Sequence, residues 1–380
     1  MADLTTPDRT AQSDKILQKA RDERLKSQAR WRKFLQHPEF GALAGVILVF
    51  IFFGITAGDS GMFAADGVLN WSTVSAQLIV IASAAALLMI GGEFDLSVGS
   101  MIGFAGMMIA IPMVYFGWSP LASTLFAFAG ALAVGFLNGW ITVRTRLPSF
   151  IVTLASLYIL RGLTIALSIV FSNRTIVSGV KEAAGDSIIP ALFAGIAFRP
   201  VFVWFSDIGL IDKLADGSPA VQGIPAIILW ALGLAAIAHV ILTRTRVGNW
   251  IFASGGDANA ARNVGVPVNA VKISLFMFTA FCATVYATSQ IFEFGSAASD
   301  RGLLKEFEAI IAAVIGGCLL TGGYGSIVGA CFGALIFGVV QMGILFTGVP
   351  NDWFRVFLGA MLLTAVLFNN MIRRRVTGER

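Results

Sequence analysis

The sequence predicts an all-α polytopic membrane protein of about ten transmembrane helices, with an internal repeat and a capped helix on the cytoplasmic face. Three observations carry that prediction. Of 380 residues, 57% are hydrophobic and only 13% charged, roughly half the charged fraction of a soluble domain. Apolar runs of about 20 residues, the length that crosses a bilayer, recur along nearly the whole chain. Lys and Arg collect at the edges of those runs, as cytoplasmic loops require.

The chain opens with a polar segment, 1–39, carrying Arg9, Lys15, Lys19, Arg21, Arg24, Lys26, Arg30, Arg32 and Lys33. It is too long and too charged for a secretory leader, so no cleavage is expected. Its stripe of Ile16, Leu17, Ala20 and Leu25 suits an interfacial helix. A permeating domain, 40–371, follows, with spans expected at 40–57, 72–90, 97–117, 120–142, 149–172, 221–242, 271–292, 307–321, 326–347 and 352–371. Arg373, Arg374, Arg375 and Arg380 mark the tail, 372–380, as cytoplasmic, and an even span count puts both termini on that side.

Residues 188–205 are apolar but contain Arg199 and Pro200. A central arginine costs about 3 kcal/mol on insertion, and an eleventh span would move the Arg244/Arg246 loop outside. Residues 173–220 are therefore assigned to the external side, with 188–205 a re-entrant or surface helix. The net charge of +5 follows from topology and does not indicate nucleic acid. Cys282, Cys318 and Cys331 lie in apolar runs without C-x-x-C spacing, as small packing residues and neither disulfides nor metal ligands.

Two apolar–Gly-Gly stretches echo each other. Met89–Gly106 reads MIGGEFDLSVGSMIGFAG and Val314–Ala330 reads VIGGCLLTGGYGSIVGA. Transporters often carry such repeats, with glycine-interrupted helices beside the pathway. In the first stretch, Gly91, Gly92, Asp95, Leu96, Ser97 and Gly99 form a polar turn between apolar helices. Asp95 is placed to cap a helix starting at Leu96, or to line the pathway; Glu93 reads as a partner-facing or water-facing charge. Small-xxx-small spacing at Gly99/Gly103, Gly135/Gly139 and Gly325/Gly329/Gly333 suits close helix packing. Arg161 within the fifth span calls for an ion pair or helix-end contact, and His239 for a buried hydrogen bond.

The segment 243–271 is polar, glycine-punctuated and bracketed by Arg244, Arg246 and Lys272. It reads as one short cytoplasmic helix, with Asp257 as N-cap, Gly265 as the left-handed C′ residue and Pro267 as the stop. A capped helix hung from a membrane protein suggests a docking knob for a soluble partner. The chain has no G-x-x-x-x-G-K-[ST] phosphate loop and no catalytic constellation. Its core also shows no buried acid relay of the kind a proton pump needs. No catalytic and no metal-binding residues are expected, and the energy should come from another subunit.

At these residues the sequence resembles the permease subunits of bacterial ABC sugar importers of the ribose/xylose/galactose type. GGEFDLSVGS, PSFIVTLASLYILRG (148–162), GGDANAARNVGV within 243–272, and IGGCLLTGGYGSIVGA occur in the family's order over most of 40–370. The Glu-Phe insertion before Asp95 and the long external segment look most like permeases for xylose, fructose or related monosaccharides. The charged lead-in and arginine tail depart from short-tailed members.

The resemblance implies a non-enzymatic inner-membrane permease that moves a pentose or hexose. Its partners would be a second, identical permease chain, an ABC ATPase with tandem nucleotide-binding domains, and a periplasmic sugar-binding protein. The chain itself would need no cofactor, ATP and Mg being bound by the ATPase. Gly256, Asp257, Ala258, Ala260, Ala261, Arg262 and Gly265 match the family's coupling helix, where the alanines suit close packing and Arg262 reaches an acidic partner residue. Gly91, Gly92, Asp95, Leu96, Ser97 and Gly99 match its membrane signature, and Gly103, Gly325, Gly329 and Gly333 are the packing glycines. Alternatives are an ABC permease for a nucleoside, a quorum-signal furanose or a branched-chain amino acid, an ion-coupled secondary transporter, or a structural membrane scaffold.

Overall fold

The computed structural model describes residues 39–214, 217–350, 352–361 and 363–364; the expected lead-in and tail lie outside them, apart from Glu39. The chain is a helical bundle. Its long helices are α1 (Glu39–Thr56), α2 (Ala65–Ile90), α3 (Val98–Phe116), α4 (Pro120–Thr145) and α5 (Ser149–Ser172). A crossing region follows, with β1 (Ile176–Ser178), α6 (Val180–Ala184), α7 (Ile188–Ala194), β2 (Ile196–Ala197), α8 (Arg199–Asp207) and β3 (Ile224–Pro225). The chain continues through α9 (Ala226–Arg244), α10 (Arg246–Gly256), α11 (Ala258–Asn263), α12 (Val268–Phe294), β4 (Ser296–Ala298), α13 (Lys305–Ile315) and α14 (Ile327–Phe346). Among the described residues, eight of these helices (α1–α5, α9, α12 and α14) are long and apolar enough to cross a membrane.

The layering follows from burial. The spanning window of α2 is 83% buried and that of α3 78%, against 17% for α1 and 22% for α5. Thus α2 and α3 form the centre, and α1 and α5 present apolar faces outward. Close approach needs missing side chains. A Cβ at Gly135 or Gly139 of α4 would lie within 3.0 Å of the α12 backbone, and one at Gly338 of α14 within 2.0 Å of Ser75 on α2. Small residues let backbones meet where no hydrophobic force favours helix over lipid.

Two expected elements differ. The span expected at 307–321 is an 11-residue helix, α13, which ends at Gly316 and Gly317 (φ +90°). The chain before it, 296–304, is largely non-helical and runs along α3. Cβ atoms at Gly106, Gly103 and Gly99 would meet Ala297, Arg301 and Gly302 in turn. Non-helical backbone at membrane depth survives only when protein surrounds it and satisfies it. Here β4 pairs antiparallel with β1 (Ile176↔Ala298), and the Arg161 guanidinium donates to the Ser299 carbonyl at 2.9 Å. Residues 188–205 hold two short helices, α7 and α8, parted by β2, which pairs with β3. Neither is long enough to span. The last expected span, 352–371, is helical over 352–361, and its remainder lies largely outside the described residues.

Candidate functional site

The two echoing Gly-Gly stretches end their helices in the same way. At the end of α2, the Gly91 amide donates to Leu87 O (3.0 Å), Gly92 to Met89 O (2.9 Å) and Glu93 to Leu88 O (3.1 Å). At the end of α13, Gly316 donates to Ala312 O (2.9 Å), Gly317 to Val314 O (2.9 Å) and Cys318 to Ala313 O (3.0 Å). The second glycine of each pair is left-handed, Gly92 at φ +82° and Gly317 at φ +90°. Left-handed backbone after a helix satisfies otherwise orphaned carbonyls, and glycine adopts it without a Cβ penalty.

Three glycine turns then meet at one end of the bundle. A Cβ on Gly92 would lie 3.1 Å from Gly255 Cα, and one on Gly255 would lie 1.8 Å from Ile90 O and 2.7 Å from Gly323 N. A Cβ on Gly322 would be 2.8 Å from Gly92 Cα. The end of α2, the end of α10 and the turn before α14 therefore interlock backbone to backbone.

The polar turn 93–97 is held by three neighbouring helices, α4, α5 and α12. Asp95 is buried; its Oδ1 accepts from the Ser97 amide (2.8 Å) and hydroxyl (2.6 Å), and its Oδ2 from the Thr279 hydroxyl (2.8 Å). Helix α3 starts at Val98 with Ser97 as its N-cap residue, so the expected cap by Asp95 of a helix starting at Leu96 is not formed; Asp95 instead fixes the turn by accepting from Ser97, outside the helix. Asn138 of α4 donates to Ser97 Oγ at 3.1 Å. The Phe94 and Leu96 amides donate to Ser149 and Thr153 of α5, both at 3.0 Å. Glu93 does not face water or a partner: it forms an ion pair with Lys272 of α12, each side chain only 12% exposed. The loop basic residue and the motif acid close on each other because α12 rises beside α2.

The segment after Arg244 contains two helices where the sequence suggests one. Thr245 Oγ1 accepts from the Gly248 amide (3.3 Å) and caps α10, which buries Gly248, Ile251 and Ser254. The signal was the apolar spacing within RVGNWIFASGG. The chain breaks at Gly256, and Asp257 caps α11 by accepting from the Asn259 (2.9 Å) and Ala260 (3.0 Å) amides. Those two N–H donors hold the Asp257 carboxyl below the usual carboxylate range. Ala261 is buried and Ala258 half-buried, whereas Gly256, Ala260, Arg262 and Gly265 (φ +86°) are exposed. Arg262 donates to Asn259 Oδ1 (3.1 Å) and Asn269 Oδ1 (3.4 Å). Val264, at 79% exposure, is the apolar tip.

The packing glycines lie elsewhere. A Cβ on Gly99 would strike Glu306 and Gly302 of the α13 segment; Gly103 abuts Arg301, Gly329 abuts Gly316, and Gly333 abuts Ala312. Gly325 (φ +158°) faces Cys318 and Ile90.

The bundle also holds two buried acids that the sequence reading did not single out. Glu306 and Glu308 are buried at the head of α13, with Lys305 bonded to Glu308 at 2.5 Å. Glu306 Oε2 has no hydrogen-bond partner among the described residues, and with Asp95, Phe94 and Thr279 it lines a small cleft between α2, α3 and α12. The signal was the Lys-Glu-Phe-Glu run opening an apolar stretch. His239 Nδ1 likewise lacks the expected partner. Among the described residues no group of His, Cys, Asp and Glu is placed to hold a metal ion.

Residues 67–366 match the family model described as branched-chain amino acid transport system / permease component. The xylose transport system permease protein XylH of Escherichia coli K12 is 31% identical, over 90% of this chain and 94% of its own. The fructose import permease protein FrcC of Rhizobium meliloti is 28% identical over 90% and 89%. The ribose import permease protein RbsC of E. coli K12 is 30% identical over 80% and 84%. With a family match over most of its length and relatives at about 30% identity, the chain belongs to this permease family: it is the membrane subunit of an ABC importer, without a catalytic site of its own.

Proposed function

We propose that the chain is the translocating subunit of an ATP-driven inner-membrane importer for a pentose or hexose, and that Asp257–Gly265 is the helix gripped by its ATPase. A permease of this class works with an ATPase and a binding protein. In our reading the ATPase carries tandem nucleotide-binding domains, the binding protein is periplasmic, and the second permease chain is identical. ATP and Mg belong to the ATPase, and this chain holds no cofactor. The full span count is ten, adding the broken unit 295–315 and the helix from 352; both termini and 243–271 are cytoplasmic and 173–220 is external. The matched turns at Gly91–Gly92 and Gly316–Gly317 support an internal repeat.

One observation carries the coupling assignment. The exposed face of α11, with Ala260, Arg262 and Val264, sits on a rod whose root is locked by Gly255 against the ends of α2 and the 319–325 turn. A load on that face enters the bundle through backbone contacts.

The test is co-purification and uptake. Ala260→Trp should detach the ATPase and abolish uptake of labelled D-xylose, D-ribose or D-fructose, with membrane insertion intact. Retained ATPase and wild-type uptake would reject the assignment. The family description favours one other cargo, a branched-chain amino acid; labelled leucine uptake without sugar uptake would establish it.

A further inference from the structure

The segment between α9 and α12 is anchored twice on the same short turn. On its N-terminal side, Gly255 rests against Gly92 and the Ile90 carbonyl. On its C-terminal side, Lys272 pairs with Glu93, one residue along from Gly92. Between these anchors, over 256–271, only Ala261, Val268 and Val271 are buried. A rod fixed at one point can swivel about it. A rod fixed at two points on one rigid element must carry that element with it.

The element so gripped is itself tied onward. Asp95 holds Thr279 of α12, Ser97 meets Asn138 of α4, and Ser149 and Thr153 of α5 take the Phe94 and Leu96 amides. Three membrane helices outside the α2–α3 hairpin thus report to residues 93–97. Removing Glu93 or Lys272 leaves the glycine contact and the α11 face in place, so the rod keeps its partner surface but loses its second anchor.

We infer that Glu93 and Lys272 are the pair that passes motion of the cytoplasmic rod to the 91–97 turn, and so are positioning residues for the transport step. The inference rests on the coupling reading above. Its charge geometry is local: Glu93 meets Lys272 alone as an ion-pair partner among the described residues, and each is nearly enclosed.

The experiment uses the permease with its ATPase and binding protein in liposomes, with D-xylose, or D-ribose or D-fructose where the wild type prefers them. Glu93→Gln and Lys272→Met should each keep the ATPase bound and hydrolysing, while sugar imported per ATP falls at least about tenfold. The exchanged pair, Glu93→Lys with Lys272→Glu, should recover at least about a third of that ratio, which a merely misfolded chain would not do. Wild-type coupling in the single variants, loss of the ATPase from them, or no recovery in the exchanged pair each overturns the inference. If Ala260→Trp leaves the ATPase attached, the coupling reading itself has failed, a separate outcome.

Discussion

The amide of Gly323 donates to the carbonyl of Ile90 at 2.9 Å, joining two turns that lie 233 positions apart in the chain. Ile90 is the last residue of α2, where a helix leaves carbonyls without intrahelical donors. Its oxygen is satisfied here by the second glycine-rich stretch of the sequence. Gly255 lies against both partners of this contact, so the end of α10, the first polar turn and the second glycine turn share one backbone junction.

That junction predicts a sharp difference between adjacent glycines. A Cβ on Gly255 would sit 1.8 Å from Ile90 O, whereas one on Gly256 meets nothing within 4 Å, and neither residue has a positive φ. Gly255→Ala should cost about 3 kcal/mol, the upper end of overpacking in a dense site. Gly256→Ala should be nearly neutral. Thermal unfolding of the two variants in detergent checks this; equal midpoints would refute the junction.

The paired turns make a second prediction. Gly92 and Gly317 occupy equivalent left-handed positions, which cost an L-residue about 1–2 kcal/mol. Alanine at either should destabilise by at least that amount, and at Gly92 the Cβ also presses on Gly255 at 3.1 Å. Asparagine, which tolerates this conformation, should lose less at Gly317. Unfolding midpoints of the three variants decide it.

Asp95 offers a third. Its carboxylate accepts three hydrogen bonds from Ser97 and Thr279 while nearly enclosed. Alanine leaves those donors unanswered, and a buried donor left without its partner costs about 1–3 kcal/mol. Asp95→Ala should fall in or above that range. Asp95→Asn keeps one acceptor oxygen for Ser97, while its amide can donate to the Thr279 hydroxyl oxygen, so it should lose about half as much. A double-mutant cycle with Thr279→Val should show coupling of about 1 kcal/mol, since contacting residues are not additive.

Much of the fold was legible because lipid imposes a simple rule. Runs such as 149–172 and 326–347 are long, apolar and bounded by Pro148 or by Ser326, and their helices start and stop within a residue of those limits. The broken unit was not legible, because hydropathy counts apolar residues without asking whether the backbone is helical. Leu303, Phe307, Ile310 and Ile311 look like a span, yet Gly302 (φ +81°) and Leu304 (φ +65°) turn the chain just before α13. Of the polar turn, its residues were evident but its partners were not. Glu93 and Lys272 are 179 positions apart, and only the packing of α12 beside α2 brings them together. Glycine at 255 looked like loop punctuation; its role depends on what lies opposite.

The cap of α11 yields the final prediction, on pH. Asp257 is exposed, and the Ala260 and Asn259 amides lower its carboxyl pKa by hydrogen-bonding the ionised form. A group whose folded pKa is depressed stabilises the fold above its unfolded pKa, near 3.9 for aspartate, and that contribution is lost as pH falls through the lower folded value. Between pH 5 and 8 the cap is therefore fully charged, and protection of the Asn259 and Ala260 amides, corrected for intrinsic exchange, should be flat. It should decline only below about pH 4. In Asp257→Asn, whose amide oxygen also caps, protection should persist through that acidic range. In Asp257→Ala it should be low at every pH. Hydrogen exchange of the permease in detergent reads all three, and protection that changed between pH 5 and 8 in the wild type would show that another group, not Asp257, holds this helix start.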